Sequence, residues 1–402
     1  MQDKHARLVP QLRFPEFHSS QDWQNTKLED IAIFLKGKFL PKSALSVDGD
    51  YPCIHYGELI TMYSEVITAI TSRTDQNENV LLSNKNDVLM PTSGETPDIL
   101  AKACSIKLDN VILGGDILVI RTDKQEICGE FLSRYIRHME QKVLQYVTGT
   151  TVYHLYANSL KMLPLHLPKL EEQKKISDCL GALDDLFSAE NSKLEALRKH
   201  KRGLMQQLFP QSGENVPRLR FPEFQDCDEW ISKMLYEIAE IVKGKQLNNL
   251  NIIPGKFPVW NGGISPSGFH NEWNAEGGTI TISEGGNSCG FVNHCHQRFW
   301  LGGHCYALIN LLINQNFLFQ LLKHKEVEIM NLRVGSGLPN IQRSDLQQHP
   351  LLIPPTFSEQ KKIADCLGSL DCIIESTGQK LEALRQHKKG LLQQLFPPLR
   401  NQ

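Results

Sequence analysis

The chain states one unit twice, and the second statement begins near its middle. Pro10–Phe17 (PQLRFPEF) returns as Pro217–Phe224 (PRLRFPEF), and the stretch from Glu172 to Pro210 returns from Glu359 to Pro397, with EQKKI, DCLG, KLEALR and QQLFP in the same order. Lesser landmarks keep step. Trp23, Leu28, Ile31 and Lys36-Gly37-Lys38 match Trp230, Leu235, Ile238 and Lys243-Gly244-Lys245. Leu113-Gly114-Gly115 matches Leu301-Gly302-Gly303, Phe131-Leu132 matches Phe317-Leu318, and Gly149 matches Gly335. Between these points the copies diverge, and the second is shorter, the loss falling between residues 38 and 113. Half of a 402-residue chain is far longer than the roughly 20–50 residues of a solenoid or propeller repeat. The repeat is a duplicated domain, and each copy is long enough to bury its own core. Two copies in one chain suit a partner with two-fold character.

Each copy divides into a variable globular part, residues 20–168 and 213–354, and a nearly invariant tail, residues 169–212 and 355–402. The short segment 1–19 is expected to pack on the scaffold that the tails form. Short β-type runs at Asp87–Met90, Ile117–Ile120, Thr279–Ile282 and Tyr306–Ile309, with amphipathic helical patterns over Phe131–Val147 and Phe317–Val334, predict an α+β (mixed α/β) domain. In the first tail Ile176, Leu180, Leu183, Phe187, Glu190, Leu194, Leu197, Lys201, Leu204 and Leu208 hold an unbroken 4-3 spacing. Ile363, Leu367, Leu370, Ile374, Thr377, Leu381, Leu384, Lys388, Leu391 and Leu395 repeat it in the second. This is a coiled-coil heptad, predicting helices from near Glu171 and Ser358 to just before Pro210 and Pro397. At about 1.5 Å per residue each is a rod of roughly 60 Å. A helix with one apolar seam must bury it, and the equivalent seam is its own copy. A pseudo-two-fold axis then reverses one helix, so the rods pair antiparallel. The polar seam residues Glu190, Lys201, Thr377 and Lys388 either fix register or snorkel out of the seam.

Hydrophobic and charged contents of 41% and 22% are ordinary for a soluble globular protein. No apolar run approaches the about 18 residues of a spanning helix. The opening MQDKHARLVPQLRF lacks the apolar core of a secretory signal, so a cytoplasmic location is expected. Ten cysteines without a C-x-x-C pair read as reduced small hydrophobes. A net charge of −2 and a pI near 6.7 run against nucleic-acid binding by overall charge, so any such binding must be local or shared with partner subunits.

Two variable domains, each followed by a long helix carrying EQKKI and KLEALR and ending in QQLFP, resemble the specificity subunit of type I restriction–modification systems over essentially the whole chain. The resemblance implies that residues 20–168 and 213–354 are target-recognition domains, each reading one half of a two-part, gapped sequence in double-stranded DNA. It also implies that the paired helices set the gap and dock two methyltransferase (M) subunits, to which restriction-translocase (R) subunits add.

Direct readout needs side chains matching base-edge donors and acceptors, while lysines, hydroxyls and backbone N–H groups hold phosphates. The candidates are Lys36, Lys38, Lys243 and Lys245 around their glycines, which could instead close a short helix. Ser93 and Gly94, with Ser283 and Asn287, lie at strand exits that could equally be tight turns. Thr148, Gly149, Thr150 and Thr151, with Gly335 and Ser336, follow a helix and could be its C-cap. Asn340, Arg343, His154 and Asn158 lie just beyond, any of them able to read a base. The repeated Arg13-Phe14-Pro15-Glu16-Phe17 and Arg220-Phe221-Pro222-Glu223-Phe224 fit docking on the coiled coil or on a partner better than DNA contact. Cys289, His294, Cys295, His296, His304 and Cys305 lack zinc-ligand spacing, so no metal and no cofactor is expected. No methyltransferase tetrad, nuclease motif or phosphate loop is legible, which points to a non-catalytic subunit. The rival reading is a duplicated coiled-coil adaptor that binds only protein.

Overall fold

The computed structural model describes residues 9–248, 252–335, 337 and 339–398. The chain forms two compact units. One comprises residues 1–189 with 381–402 and the other residues 190–380, so each takes a piece of both long helices.

The first unit opens and closes on one ribbon. Gln24–Lys27 pairs antiparallel with Pro164–Leu167, which brings the ends of the globular part together. Between them a five-stranded sheet runs in the order Ala32–Lys36, Ile117–Thr122, Val88–Pro91, Cys104–Ile106, Val66–Ile67. A four-stranded sheet joins Arg73–Thr74, Tyr51–Ile54, Ile112–Leu113 and Leu81–Leu82. Val88–Pro91 is buried along its whole length, as a continuous apolar run in a sheet interior should be. The second unit repeats the plan. Ile231–Met234 pairs with Pro350–Ile353, a four-stranded sheet runs Glu240–Lys243, Cys305–Ile309, Thr279–Ser283, Val292–Cys295, and a three-stranded one joins Gly268–His270, Phe257–Trp260 and Trp300–Leu301. The helix Tyr56–Thr61 and the strand Val66–Ile67 lie within the interval where the second copy is shorter, and its main sheet has one strand fewer.

The amphipathic segments are shorter than their patterns. The first is a helix over Gly129–His138, a break at Met139, and a single turn over Glu140–Val143. The second is Gln315–His324, a break at Lys325, then Glu326–Met330. The apolar periodicity continues past both breaks, because the second turn packs on the same core.

The tails are unbroken helices, Leu170–Leu208 and Phe357–Leu395, each of 39 residues. Every heptad position named above is buried or half-buried. Within the first unit Ile176 and Leu180 share a core cluster with Leu395 and Phe396, and Asp184 bonds Lys388. One helix therefore ascends as the other descends. In the second unit Leu208 shares a cluster with Ile363 and Leu367, while Lys201 Nζ lies 2.5 Å from Asp371 Oδ1, the same antiparallel order. The polar seam residues are partnered rather than snorkelled. Asp371 Oδ2 also accepts from Gln320 at 2.7 Å, and Asp184 Oδ2 from Arg134 at 2.6 Å, so each globular part reaches the Lys–Asp pair below it. Glu190 accepts from Lys380, and Thr377 donates back to the Ile373 carbonyl at 2.7 Å.

The start of each helix explains the repeated EQ. Glu172 receives Arg13 at 2.8 and 2.7 Å and the Trp23 indole at 3.3 Å. Gln173 accepts from the Cys128 N–H at 2.9 Å and donates to the Pro168 carbonyl at 2.9 Å. Glu359 and Gln360 do the same for Arg220, Trp230, Asn314 and Pro354. The RFPEF blocks thus lie against the helix starts, with Glu16 on Lys175 and Glu223 on Lys362, both at 3.0 Å.

Candidate nucleic-acid interface

Lys36-Gly37-Lys38 leaves a strand, not a helix, since the turn Leu28–Ile31 passes directly into Ala32–Lys36. The glycine is steric. A Cβ on Gly37 would stand 1.9 Å from the Gly114 carbonyl oxygen, and one on Gly244 would stand 2.2 Å from that of Gly302. Lys38 N–H donates to Leu113 at 3.0 Å and Lys245 N–H to Leu301 at 2.9 Å. The KGK and LGG landmarks are the two sides of one close backbone crossing, built once in each unit. The amides beside the glycine are consumed in it, while the side chains of Lys36, Lys38, Lys243 and Lys245 stay exposed.

In the first unit a small sheet gathers most of the other candidates. Val147–Thr148 pairs with Tyr153–Leu155, which pairs with Ser93–Gly94, placing His154 opposite both Thr148 and Ser93. The strand ends in an exposed turn of Gly149, Thr150 and Thr151. Gly149 has φ +117°, and a Cβ there would meet the Val152 carbonyl at 2.1 Å, so it serves the turn rather than a helix C-cap. Beside the sheet lies a cleft of about 410 Å³ lined by Lys36, Thr92, Ser93, Asp116, His154 and Tyr156. Asp116 sits 3.6 Å from Lys36 Nζ.

The second unit builds the same frame from different side chains. Asn340 bridges both Val334 and Gly285, and Ile341 N–H donates to the Glu284 carbonyl at 2.8 Å, as Leu155 N–H does to Thr92 at 3.0 Å. Thr92 is therefore the counterpart of Glu284, Ser93 of Gly285, and His154 of Asn340. Gly335, φ +97°, matches Gly149. Ser283 leaves the candidate set. It is the last residue of the strand Thr279–Ser283, two positions before the counterpart of Ser93, and it is buried and donates to the Gly262 carbonyl at 2.5 Å. Asn287 is exposed on the turn, and Arg343 is exposed at the start of the helix Arg343–Gln347. Ser336 lies outside the described residues. Asn158 lies in the short turn Ala157–Leu160, where its Oδ1 accepts from Lys161 Nζ at 3.2 Å.

A lysine meets a carboxylate in both copies, but from non-equivalent positions, Asp116 in the turn before one strand and Glu284 just after another. Lys243 Nζ lies 2.6 Å from Glu284, which also accepts from the Tyr306 hydroxyl at 2.9 Å and stands 4.0 Å from His304. Burial, and then the bonded carboxylate, push the Tyr306 phenol well above its ordinary value, so it remains a donor. Tyr156, exposed beside His154 with ring centroids 6.0 Å apart, carries no sequence signal, since exposure cannot be read from one chain.

In the cysteine- and histidine-rich stretch Cys289, Cys295 and Cys305 are buried in the second unit's core. Burial pushes the Cys295 thiol up to about 12 and the Cys305 thiol up to about 11, and His294 bonds the Gly278 carbonyl and Gln315 at 3.0 and 3.1 Å. Among the described residues no three His, Cys, Asp or Glu side chains gather as for a metal, and no helix is long and apolar enough to cross a membrane.

A profile of the type I restriction modification DNA specificity domain matches residues 20–199 and 227–386. The type I restriction enzyme MjaVIII specificity subunit of Methanocaldococcus jannaschii is 25% identical over 95% of each chain. A putative type I specificity subunit of Mycoplasma pneumoniae is 33% identical, over 42% of this chain and 45% of its own length. The crystal structure of a type I restriction–modification S subunit from M. genitalium superposes with a TM-score of 0.73 at 21% identity, covering 98% of this chain and 100% of that one. With both copies inside the matched regions and the fold shared along its length, the chain belongs to the type I restriction–modification DNA specificity family.

Proposed function

We propose that the chain is the non-catalytic subunit that selects the DNA target of a type I complex, each unit reading one half of a gapped, double-stranded site. The paired helices set the gap and carry two methyltransferase subunits, and restriction-translocase subunits join that core. The observation that carries this reading is the recurrence of one backbone frame with divergent polar side chains at its exposed edge: Ser93, His154 and the Thr148–Thr151 turn in one unit, Asn287, Asn340 and Arg343 in the other. A scaffold that stays fixed while its reading edge varies is what two different half-sites require. Lys38 and Lys245, exposed at the two crossings, supply local positive charge despite the net charge of −2.

The test is a genome-wide map of methylated adenines in cells holding this chain with its methyltransferase, against cells lacking only this chain. Disappearance of one two-part motif is the expected result. Identical maps, together with no DNA retained by the purified complex, would instead favour the protein-only adaptor, to which the near-neutral charge lends its support.

A further inference from the structure

Resting on the DNA-reading role just proposed, we infer that His154 and Asn340 are the paired base-reading residues of the two units, Asn340 selecting an adenine and His154 a guanine. They occupy equivalent rungs, His154 in the small three-stranded sheet of the first unit and Asn340 at two isolated β-bridges in the second, each beside a backbone bond to the strand exit. Of the rungs that the two copies share, this is the one where each holds a half-buried side chain able to address a base edge. Ser93 faces Gly285 across the copies, so that rung loses its side chain in one copy, and Gly149 faces Gly335, so that rung has none in either. Thr92 faces Glu284, whose carboxylate is already taken by Lys243 and Tyr306.

The chemistry differs between the two. Gln342 Nε2 donates to Asn340 Oδ1 at 3.0 Å, which orients the carboxamide and leaves its Nδ2 donors and one oxygen lone pair outward. One donor beside one acceptor matches the N7 and N6 pair of adenine in the major groove. His154 lies against Tyr156, its ring tilted 29° from that of the tyrosine, at the edge of the cleft. An imidazole cannot span a donor and an acceptor on one base edge. It can place one N–H between two neighbouring acceptors, and guanine N7 and O6 are such a pair.

The experiment is selection of bound sequences from a random duplex DNA pool by the purified complex of this chain with its methyltransferase subunits. Asn340→Ala should flatten an adenine preference at one position of one half-site by about ten- to a hundred-fold and leave the other half-site unchanged. Asn340→His should move that preference toward guanine, and His154→Asn should move the other half-site from guanine toward adenine. Because Asn340 is bonded through its backbone, the isosteric Asn340→Asp serves where the alanine variant fails to fold. An acceptor-only carboxylate should abandon adenine for the amino group of cytosine. Unchanged preferences in the folded variants, or losses spread over both half-sites, overturn the assignment. A wild-type complex that enriches no sequence overturns the DNA-reading role itself, whereas a wild-type two-part motif left intact by these variants overturns only the choice of residues.

Discussion

Arg220 holds Glu359 through two parallel hydrogen bonds, Nε to Oε1 at 2.8 Å and Nη2 to Oε2 at 2.9 Å, with the two side chains only 6% and 1% exposed. The guanidinium fork matches the carboxylate, and the Trp230 indole adds a third donor at 3.2 Å. Removing one partner leaves the other charge buried and alone, at a cost of about 3–5 kcal/mol. Glu359→Ala should therefore lower the urea midpoint sharply. The double variant Arg220→Met, Glu359→Leu should recover much of the loss, since apolar residues of similar size often replace a buried pair without penalty. A single variant as stable as wild type would show that the clamp contributes nothing.

The aromatic at the end of each long helix plugs into its own unit. Phe396, fully buried, stacks on Tyr135 with centroids 5.0 Å apart and planes 4° apart. Phe209 lies 4.9 Å from His324 and 6.2 Å from Trp230. Phe396→Ala or Phe209→Ala should cost about 3–5 kcal/mol each, and the leucine variants distinctly less. Thermal melts of the four proteins check this, and equal losses for alanine and leucine would contradict a packing role.

The backbone crossings separate architecture from charge. Gly37→Ala and Gly244→Ala should destabilise, because the added methyl meets a carbonyl that belongs to backbone and cannot swing away. Lys38→Ala and Lys245→Ala touch exposed side chains and should stay within about 0.5 kcal/mol of wild-type stability. Each should nevertheless weaken DNA binding by the complex and reduce its salt slope by about one. Binding and slope both unaltered by the lysine changes would remove phosphate contact from their role.

Periodicity made the scaffold legible, and identity between the copies made the duplication legible. The heptad required a partner seam, and both helices run where Leu183, Leu197, Leu370 and Leu384 placed them. The breaks at Met139 and Lys325 were not legible, because apolar spacing continues through them. KGK and LGG were each visible, but nothing in a linear chain says that they face one another. That Ser283 turns inward was hidden for a related reason. Hydrogen-bonded register, two residues different from the apparent alignment, decides which side chain leaves the sheet and which turns inward. Divergent residues such as Tyr156 and Glu284 acquire meaning only from neighbours that folding supplies.

Buried imidazoles make stability depend on pH in a predictable direction. Burial holds His138, His166, His294, His324 and His349 below the ordinary histidine value; Lys142 adds to the effect at His166 and Lys325 at His324, while at His349 the nearby Glu328 carboxylate works against it. As pH falls below about 6.5 the unfolded chain takes up protons that the folded chain still refuses. The stabilisation present above that value is lost as pH descends toward the folded values, so the melting temperature should drop between about pH 7.5 and about pH 5.5. This window lies above the range where carboxylates such as Glu65, held low by Lys388 and Arg137 against the opposing effect of burial, begin to protonate. His138 and His324 pack on Phe396 and Phe209, at 5.2 and 4.9 Å, so phenylalanine can replace them with an aromatic contact retained. The double variant His138→Phe, His324→Phe should melt less steeply with acidification than wild type. An identical slope would assign the pH dependence to the remaining three histidines.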